Sequence, residues 1–116
     1  MLMRLAALSA FIAVVLGAFG AHGLEDRLTV EAEGWWDTAT FYLLSHAVAA
    51  LAIGLSGRTG LVSKGGFALT FGALLFAATL YAMALDAPRW FGAITPLGGL
   101  GMLAGWAMIG FGASRT

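Results

Sequence analysis

The sequence contains four long apolar segments, and the second of them, residues 38–55, is interrupted by polar side chains that could perform chemistry. The four side chains recur at spacings of three and four residues, which places them on one face of an α-helix: Thr38, Tyr42, Ser45 and His46. If this segment crosses a membrane, the ionisable His46 near its middle is a candidate for a binding site or a proton relay. The alternative is a structural role, in which a neutral imidazole is hydrogen-bonded to Tyr42, Ser45 or a neighbouring helix.

A second polar group lies at the edge of the first apolar segment. His22 is followed by Glu25 and Asp26, and such a group could hold a metal or act on a lipid or a quinone. The carboxylates lack the ordered spacing of a metal site, and no nucleophile, base and acid are arranged for catalysis. The chain has no cysteine, which removes thiol chemistry and cysteine-bound metals. We therefore expect no enzymatic activity, no metal and no cofactor.

The composition is typical of a membrane protein. Hydrophobic residues make up 60% of the 116 residues and charged residues only 10%, against about 25% charged residues in soluble domains. The length suffices for a single domain, residues 1–116, and is too short for two. Six basic and six acidic residues cancel, so the chain lacks the positive surface that binds nucleic acid. We expect membrane lipids as partners and no nucleic acid.

Four stretches without a full charge are long enough to cross a bilayer as helices. A helix rises about 1.5 Å per residue and the hydrocarbon core is about 30 Å thick, so about 17–25 residues are needed. The stretches are residues 5–21, 38–55, 65–85 and 90–113. They predict an all-α integral membrane protein, a bundle of four transmembrane helices. Between the first two helices, the polar residues 22–37 predict either a short interfacial helix or a solvated loop.

The start of the fourth helix has three interpretations. Thr95 could cap a helix that has Pro96 at its first position. Alternatively, the helix starts near Trp90 and kinks at Pro96. A Thr-Pro pair followed by Gly98 and Gly99 is also found in unwound backbone that lines a cavity.

Glycine is abundant in the predicted spans, although it is costly in water-soluble helices. Apolar side chains gain little by leaving lipid for one another, so membrane helices associate through close backbone contact at small residues. Glycine and alanine recur four residues apart in each predicted helix, and the candidates for helix packing are Gly17, Gly54, Gly72, Gly101 and Gly105. These positions could join helices within one chain or between chains.

Basic residues near the helix ends favour cytoplasmic termini. With the N-terminus inside, the basic residues on the cytoplasmic side are Arg4, Arg58, Lys64 and Arg115. Only Arg27 and Arg89 then lie on the opposite side. Because cytoplasmic loops carry an excess of Lys and Arg, we predict that both termini are cytoplasmic. Aromatic residues near the other interface agree with a headgroup-level belt there: Trp35, Trp36, Tyr81, Trp90 and Phe91.

Four motifs, one in each predicted helix, follow the order found in a family of small membrane proteins. They are Gly17-Ala18-Phe19-Gly20-Ala21-His22; Trp36-Asp37-Thr38-Ala39 with Tyr42 and His46-Ala47; Leu75-Phe76-Ala77-Ala78-Thr79-Leu80-Tyr81; and Thr95-Pro96-Leu97-Gly98-Gly99 with Gly105-Trp106. The ordered set resembles the family catalogued as domain of unknown function 423, which has transmembrane protein 256 as a eukaryotic relative. The chain departs from the family pattern at Ala77 and Ala78, where serine and glycine are usual.

The resemblance implies a bacterial inner-membrane protein with four spans, and it supplies no activity. It draws attention to the residues that match the motifs. Among these, Thr38, Tyr42 and His46 are the intramembrane candidates already described. The candidates at the membrane interface are His22, Trp36, Tyr81, Thr95 and Pro96.

Three classes of function are compatible with these features. The first is a non-enzymatic membrane component that binds lipid or a partner, as a homo-oligomer or within a larger membrane complex. The second is a small carrier or proton-handling element that uses His46 and Tyr42. The third is an enzyme that acts on a lipid or quinone at the outer interface with His22. We favour the first, because no catalytic arrangement is visible; a water-filled cavity reaching His46 would favour the second.

Overall fold

The computed structural model describes residues 1–114, which contain helices and turns but no strand. The α-helices, α1 to α4, span Leu2–His22, Val30–Ser56, Leu61–Ala84 and Thr95–Ala113, and a 3₁₀ helix spans Arg89–Ala93. Four helical segments, the last of them α4 together with the 3₁₀ helix, are long and apolar enough to cross a bilayer. The prediction of an all-α, four-span membrane protein is confirmed. Arg115, which contributes to the predicted orientation, lies outside the described residues.

α2 begins at Val30 rather than at residue 38. The Thr29 hydroxyl caps it by accepting a hydrogen bond from the backbone N–H of Ala32 at 3.0 Å. Two glutamates in the first turn further stabilise this end through the helix dipole. Within residues 1–114 no separate helix lies between α1 and α2, so an interfacial helix there is the wrong alternative. The polar segment forms a short loop and the first turns of α2 instead.

The helices pack in chain order around a central α3. α3 packs extensively on both α2 and α4, whereas α1 packs mainly on α2. The turn between α2 and α3 contains Gly57 and Gly60 at φ values of 70° and 68°, a conformation that favours glycine because it has no Cβ. Because α2 and α4 both pack on α3 without an extensive contact between them in the described chain, an opening remains at their side of α3.

Glycines bring the backbones of α3 and α4 together. A Cβ atom on Gly72 would lie 2.7 Å from the backbone nitrogen of Met102, and one on Gly105 would lie 2.8 Å from the carbonyl oxygen of Gly65. A Cβ on Gly101 would lie 3.1 Å from the Gly72 Cα. Such close backbone contact holds helices together where the hydrophobic effect contributes little.

The remaining two packing glycines lie between α1 and α2. A Cβ on Gly17 would approach the Thr40 Cγ2 to 3.1 Å, and one on Gly54 would approach the Met3 Cγ to 2.5 Å. These neighbours are side-chain atoms, which can shift more easily than backbone. All five glycines proposed from the sequence thus lie at helix contacts within a single chain.

The start of α4 agrees with the first sequence interpretation in the position of Pro96 and differs from it in the cap. Residues 89–93 form a 3₁₀ helix, α4 begins at Thr95, and Pro96 lies in the first turn of α4. Backbone N–H groups in the first turn have no partner within the helix, so a proline there costs no hydrogen bond. The N-cap position falls on Ile94, this end of the helix has no side-chain capping bond, and Thr95 already lies inside α4, so its predicted capping role is wrong. Gly98 is helical, so the unwound alternative is also wrong.

Candidate functional site

His46 is buried in α2, with 9% of its surface exposed, and both its ring nitrogens have partners. Its Nε2 accepts a hydrogen bond from the indole N–H of Trp106 at 3.1 Å. Because an indole nitrogen only donates, the proton of the neutral imidazole lies on Nδ1. That Nδ1–H donates to the Tyr42 carbonyl oxygen at 2.9 Å. The two bonds fix the orientation of the ring and link α2 to α4.

The other polar candidates of α2 differ in their contribution to this site. The Tyr42 ring stacks on His46 with centroids 5.8 Å apart and contacts Phe76 of α3 with centroids 4.8 Å apart. Ser45, directly before His46 in the chain, is exposed, and its hydroxyl donates a hydrogen bond to the Tyr42 carbonyl oxygen at 3.3 Å. Thr38 is exposed and is not among the residues that line the site. The structure therefore brings Tyr42 and His46 together and leaves Thr38 apart.

An apolar opening of about 620 Å³ lies between α2 and α4, and we call it the lateral groove. It is lined by Tyr42, His46, Phe76, Pro96, Gly99, Leu100, Met102, Leu103 and Trp106. From Pro96 to Trp106 it follows about 15 Å of the α4 axis, half of a hydrocarbon core about 30 Å thick. It starts near the distal end of the bundle, the end at which α1 joins α2 and α3 joins α4. The lateral groove is thus about as long as one leaflet of the bilayer core.

Two of the aromatic residues that the sequence predicts at the membrane interface, Trp36 and Tyr81, are buried inside the bundle. Trp36 is only 2% exposed, and its indole N–H donates to the Leu16 carbonyl oxygen of α1 at 2.8 Å. The Tyr81 ring meets it edge-on with centroids 4.6 Å apart, and the Tyr81 hydroxyl is 2.7 Å from the Thr40 hydroxyl. Because the polar atoms of both rings find partners within the protein, neither needs the headgroup region.

The structure brings the polar residues around His22 together only in part. Glu25 lines an opening of about 240 Å³ with Glu33 and Asp37, and neither His22 nor Asp26 is among its lining residues. His22 ends α1, and it is exposed, as are Glu25 and Asp26. Within residues 1–114 no three His, Asp or Glu side chains are placed so that they could hold a metal ion. The third class of function, an enzyme at this surface, therefore gains no support from the geometry.

A separate, polar opening of about 260 Å³ lies at the distal end, and we call it the charged cavity. Its walls include Arg27, Thr29, Glu31, Ala32, Trp35, Met83, Ala84, Asp86, Ala87 and Arg89. Arg89 Nη2 donates to Glu31 Oε1 at 2.9 Å, and the Arg89 guanidinium lies 5.6 Å from the centre of the Trp35 ring. The cavity thus combines two cations and two anions beside the N-terminus of α2.

Three polar contacts of the bundle were not singled out from the sequence. They involve Trp106 with His46, Thr40 with Tyr81, and Thr79 with Thr95, whose hydroxyl oxygens lie 2.6 Å apart. Each pair joins two helices, so sequence spacing alone does not reveal it. The only sequence indication was that Trp106 and Thr79 fall within the family motifs.

Four helical segments that are long and apolar enough to cross a bilayer define a small multi-pass α-helical membrane protein. The chain belongs to the family described as Protein of unknown function (DUF423), which residues 16–99 match. This confirms the resemblance seen in the sequence motifs. No solved structure matches the chain.

Similar proteins occur in several bacteria and carry membrane-protein names. A UPF0382 membrane protein of Staphylococcus saprophyticus is 46% identical over 113 residues, covering 96% of this chain and 94% of the relative. One of Haemophilus influenzae is 38% identical over 118 residues, covering 98% and 94%. The UPF0382 inner membrane protein YgdD of Escherichia coli strain K12 is 39% identical over 113 residues, covering 95% and 86%. These names describe membrane proteins and give no activity.

Proposed function

We propose that this protein is a non-enzymatic membrane component that binds a hydrocarbon chain of a membrane lipid in the lateral groove. The observation that carries the proposal is the groove itself, an opening of about 620 Å³ with mainly apolar walls. This volume falls within the usual range for small-molecule sites, about 300–1,000 Å³. Its length matches one leaflet of the hydrocarbon core, so an acyl chain from that leaflet is the occupant that fits.

The surroundings of His46 support binding over proton handling. A relay needs a group that gains and loses a proton, with a partner to receive it. Here His46 Nε2 already accepts a hydrogen bond from the indole N–H of Trp106. A proton on Nε2 would make it a donor facing the indole N–H, which is also a donor. The nearest acidic residue along α2 is Asp37, about 13 Å away along the helix axis. The groove beside the ring is apolar rather than lined for water.

A proton-flux measurement separates the two functions. In reconstituted vesicles with an imposed pH gradient, we expect the wild-type protein and His46→Ala to dissipate the gradient no faster than protein-free vesicles. The reason is that both ring nitrogens of His46 already have hydrogen-bond partners within the protein, and the groove beside the ring is apolar. A wild-type flux that disappears in His46→Ala would establish the proton-handling alternative instead.

Native mass spectrometry tests lipid binding directly. Protein purified in mild detergent is expected to retain one phospholipid per chain at collision energies that remove detergent. Retention of detergent alone would contradict the proposal. The same spectra give the number of chains per particle, and thus also test the hypotheses of a homo-oligomer and of a larger membrane complex.

We further propose that the protein lies in the cell inner membrane with both termini cytoplasmic. Four basic residues on the side of the termini, against Arg27 and Arg89 on the other, support this orientation. Because the chain has no cysteine, single reporters can be introduced. In intact cells an impermeant maleimide is expected to label Asp26→Cys at the distal end and not Thr59→Cys in the turn between α2 and α3. The reverse labelling would mean the opposite orientation.

A further inference from the structure

We propose that the charged cavity binds the headgroup of a zwitterionic glycerophospholipid whose acyl chain lies in the lateral groove. This inference rests on the proposed function and adds to it the class of lipid. It depends on three features: the position of the cavity above the groove, the charges in its walls, and the distance between the two openings.

The charged cavity and the lateral groove follow one face of α2. Glu31 and Trp35 line the cavity, whereas Tyr42 and His46 line the groove. Their spacings of four, seven and four residues keep these side chains on one side of a helix. From Trp35 to Tyr42 the helix rises about 10 Å. One amphiphilic molecule can therefore place its polar end in the cavity and its apolar end in the groove.

Two of the four charges in the cavity are already paired with each other. Arg89 forms a solvent-exposed ion pair with Glu31 and lies over the Trp35 ring, and the bond to Glu31 leaves most of the five guanidinium N–H donors available. Among residues 1–114, Arg27 and Asp86 form no salt bridge, although both line the same cavity. The cavity thus offers one cation and one anion that lack a charged protein partner within the described chain.

A zwitterionic headgroup complements these charges. Its phosphate oxygens can accept charge-assisted hydrogen bonds from Arg27 and from the remaining donors of Arg89. The N-terminus of α2, which begins beside the cavity wall at Thr29, adds a positive dipole end on the same side of the ligand. The ammonium group of the headgroup can pair with the Asp86 carboxylate.

The balance of charge favours a zwitterion over an anionic lipid. The two arginines and two acids in the cavity wall cancel. An anionic headgroup would pair with the arginines but would place further negative charge near Glu31 and Asp86, which is unfavourable at short range. A lipid without a phosphate would leave the arginines with no anion to bind.

Competition in native mass spectrometry tests the inference on the full chain. Phosphatidylethanolamine, phosphatidylglycerol and diacylglycerol with identical acyl chains are offered to the delipidated wild-type protein. We expect phosphatidylethanolamine to be retained about tenfold over each of the others, because only it makes charge-assisted bonds at both ends of the headgroup. Free phosphoethanolamine at the same concentration is expected not to displace it, because it lacks the chain that occupies the groove.

Two variants assign the preference to the cavity. Arg27→Gln and Asp86→Asn are expected to abolish the preference while still retaining lipid. Asp86 has a positive φ of 74°, which asparagine tolerates, so this variant keeps its backbone. Lys64→Gln, an exposed basic position at the opposite end of the bundle, is the matched control and is expected to keep the preference.

The outcomes separate this inference from the proposed function. Equal retention of the three lipids, or a preference unchanged in both cavity variants, would overturn the headgroup site and leave the groove proposal standing. Displacement by free phosphoethanolamine would show a site for the soluble headgroup and overturn the lipid assignment. Failure of the wild-type protein to retain any lipid would overturn the proposed function, and this inference with it.

Discussion

Replacing Gly105 with leucine is expected to destabilise the bundle by about 1–3 kcal/mol, the usual cost of forcing extra volume into a packed contact. A Cβ at this position would lie 2.8 Å from the carbonyl oxygen of Gly65 and 2.9 Å from the backbone nitrogen of Leu69. Because both are backbone atoms of α3, relief requires α4 to move away from α3. Thermal unfolding in detergent, followed by the summed fluorescence of the four tryptophans, which include the buried Trp36, measures the loss.

The matched control is Gly110→Leu on the same helix. Gly110 is exposed, and a Cβ there meets nothing within 4 Å, so we expect its unfolding temperature to stay at the wild-type value. Gly105→Ala, which adds only the clashing Cβ, is expected to fall between wild type and Gly105→Leu. Equal unfolding temperatures for Gly105→Leu and Gly110→Leu would show that Gly105 does not join α4 to α3.

Filling the lateral groove is expected to remove the bound lipid. Gly99 lies in the groove wall, and a Cβ there meets nothing within 4 Å, so Gly99→Trp introduces a large ring without a backbone clash. An indole occupying the groove competes with an acyl chain for the same apolar surface. We expect lipid retention in native mass spectrometry to fall about tenfold, which corresponds to about 1.4 kcal/mol of binding free energy.

Gly110→Trp serves as the control for this experiment. It adds the same ring to the same helix outside the groove, and we expect it to retain lipid as the wild type does. Unchanged unfolding temperatures in both variants would show that the loss in Gly99→Trp arises from the groove and not from the bundle. Full lipid retention by Gly99→Trp would place the lipid elsewhere on the protein.

Hydropathy predicted the number and type of the spanning helices because length and apolar character alone decide which segments can cross a bilayer. The same criterion misplaced the start of α2. It placed the start of the helix at residue 38, directly after the charged Asp37. In the structure, the Thr29 cap and two glutamates in the first turn extend the helix back to Val30. Backbone hydrogen bonding and the helix dipole thus carry α2 beyond the uncharged stretch.

The contacts within the candidate site could not be predicted from spacing. The face of α2 that carries Tyr42 and His46 follows from helical periodicity, but Trp106 is 60 residues from His46 in sequence. Trp36 shows the same limit. An amphipathic ring near a helix end is typical of the membrane interface, yet here it packs where Gly20 has no side chain and donates to Leu16. Both the Trp106–His46 contact and the burial of Trp36 depend on which helices become neighbours in the fold.

The central claim, that a lipid chain occupies the lateral groove, is tested most directly by photo-crosslinking in native membranes. Phospholipid with a photoactivatable acyl chain is incorporated, the protein is irradiated, and the labelled residues are identified by peptide mass spectrometry. The groove predicts labels concentrated on Leu100, Leu103 and Trp106, with few on Phe11 and Phe111, which lie outside it and are at least as exposed. Labels distributed evenly over all exposed apolar residues would show only the general lipid contact of any membrane protein and would contradict the claim.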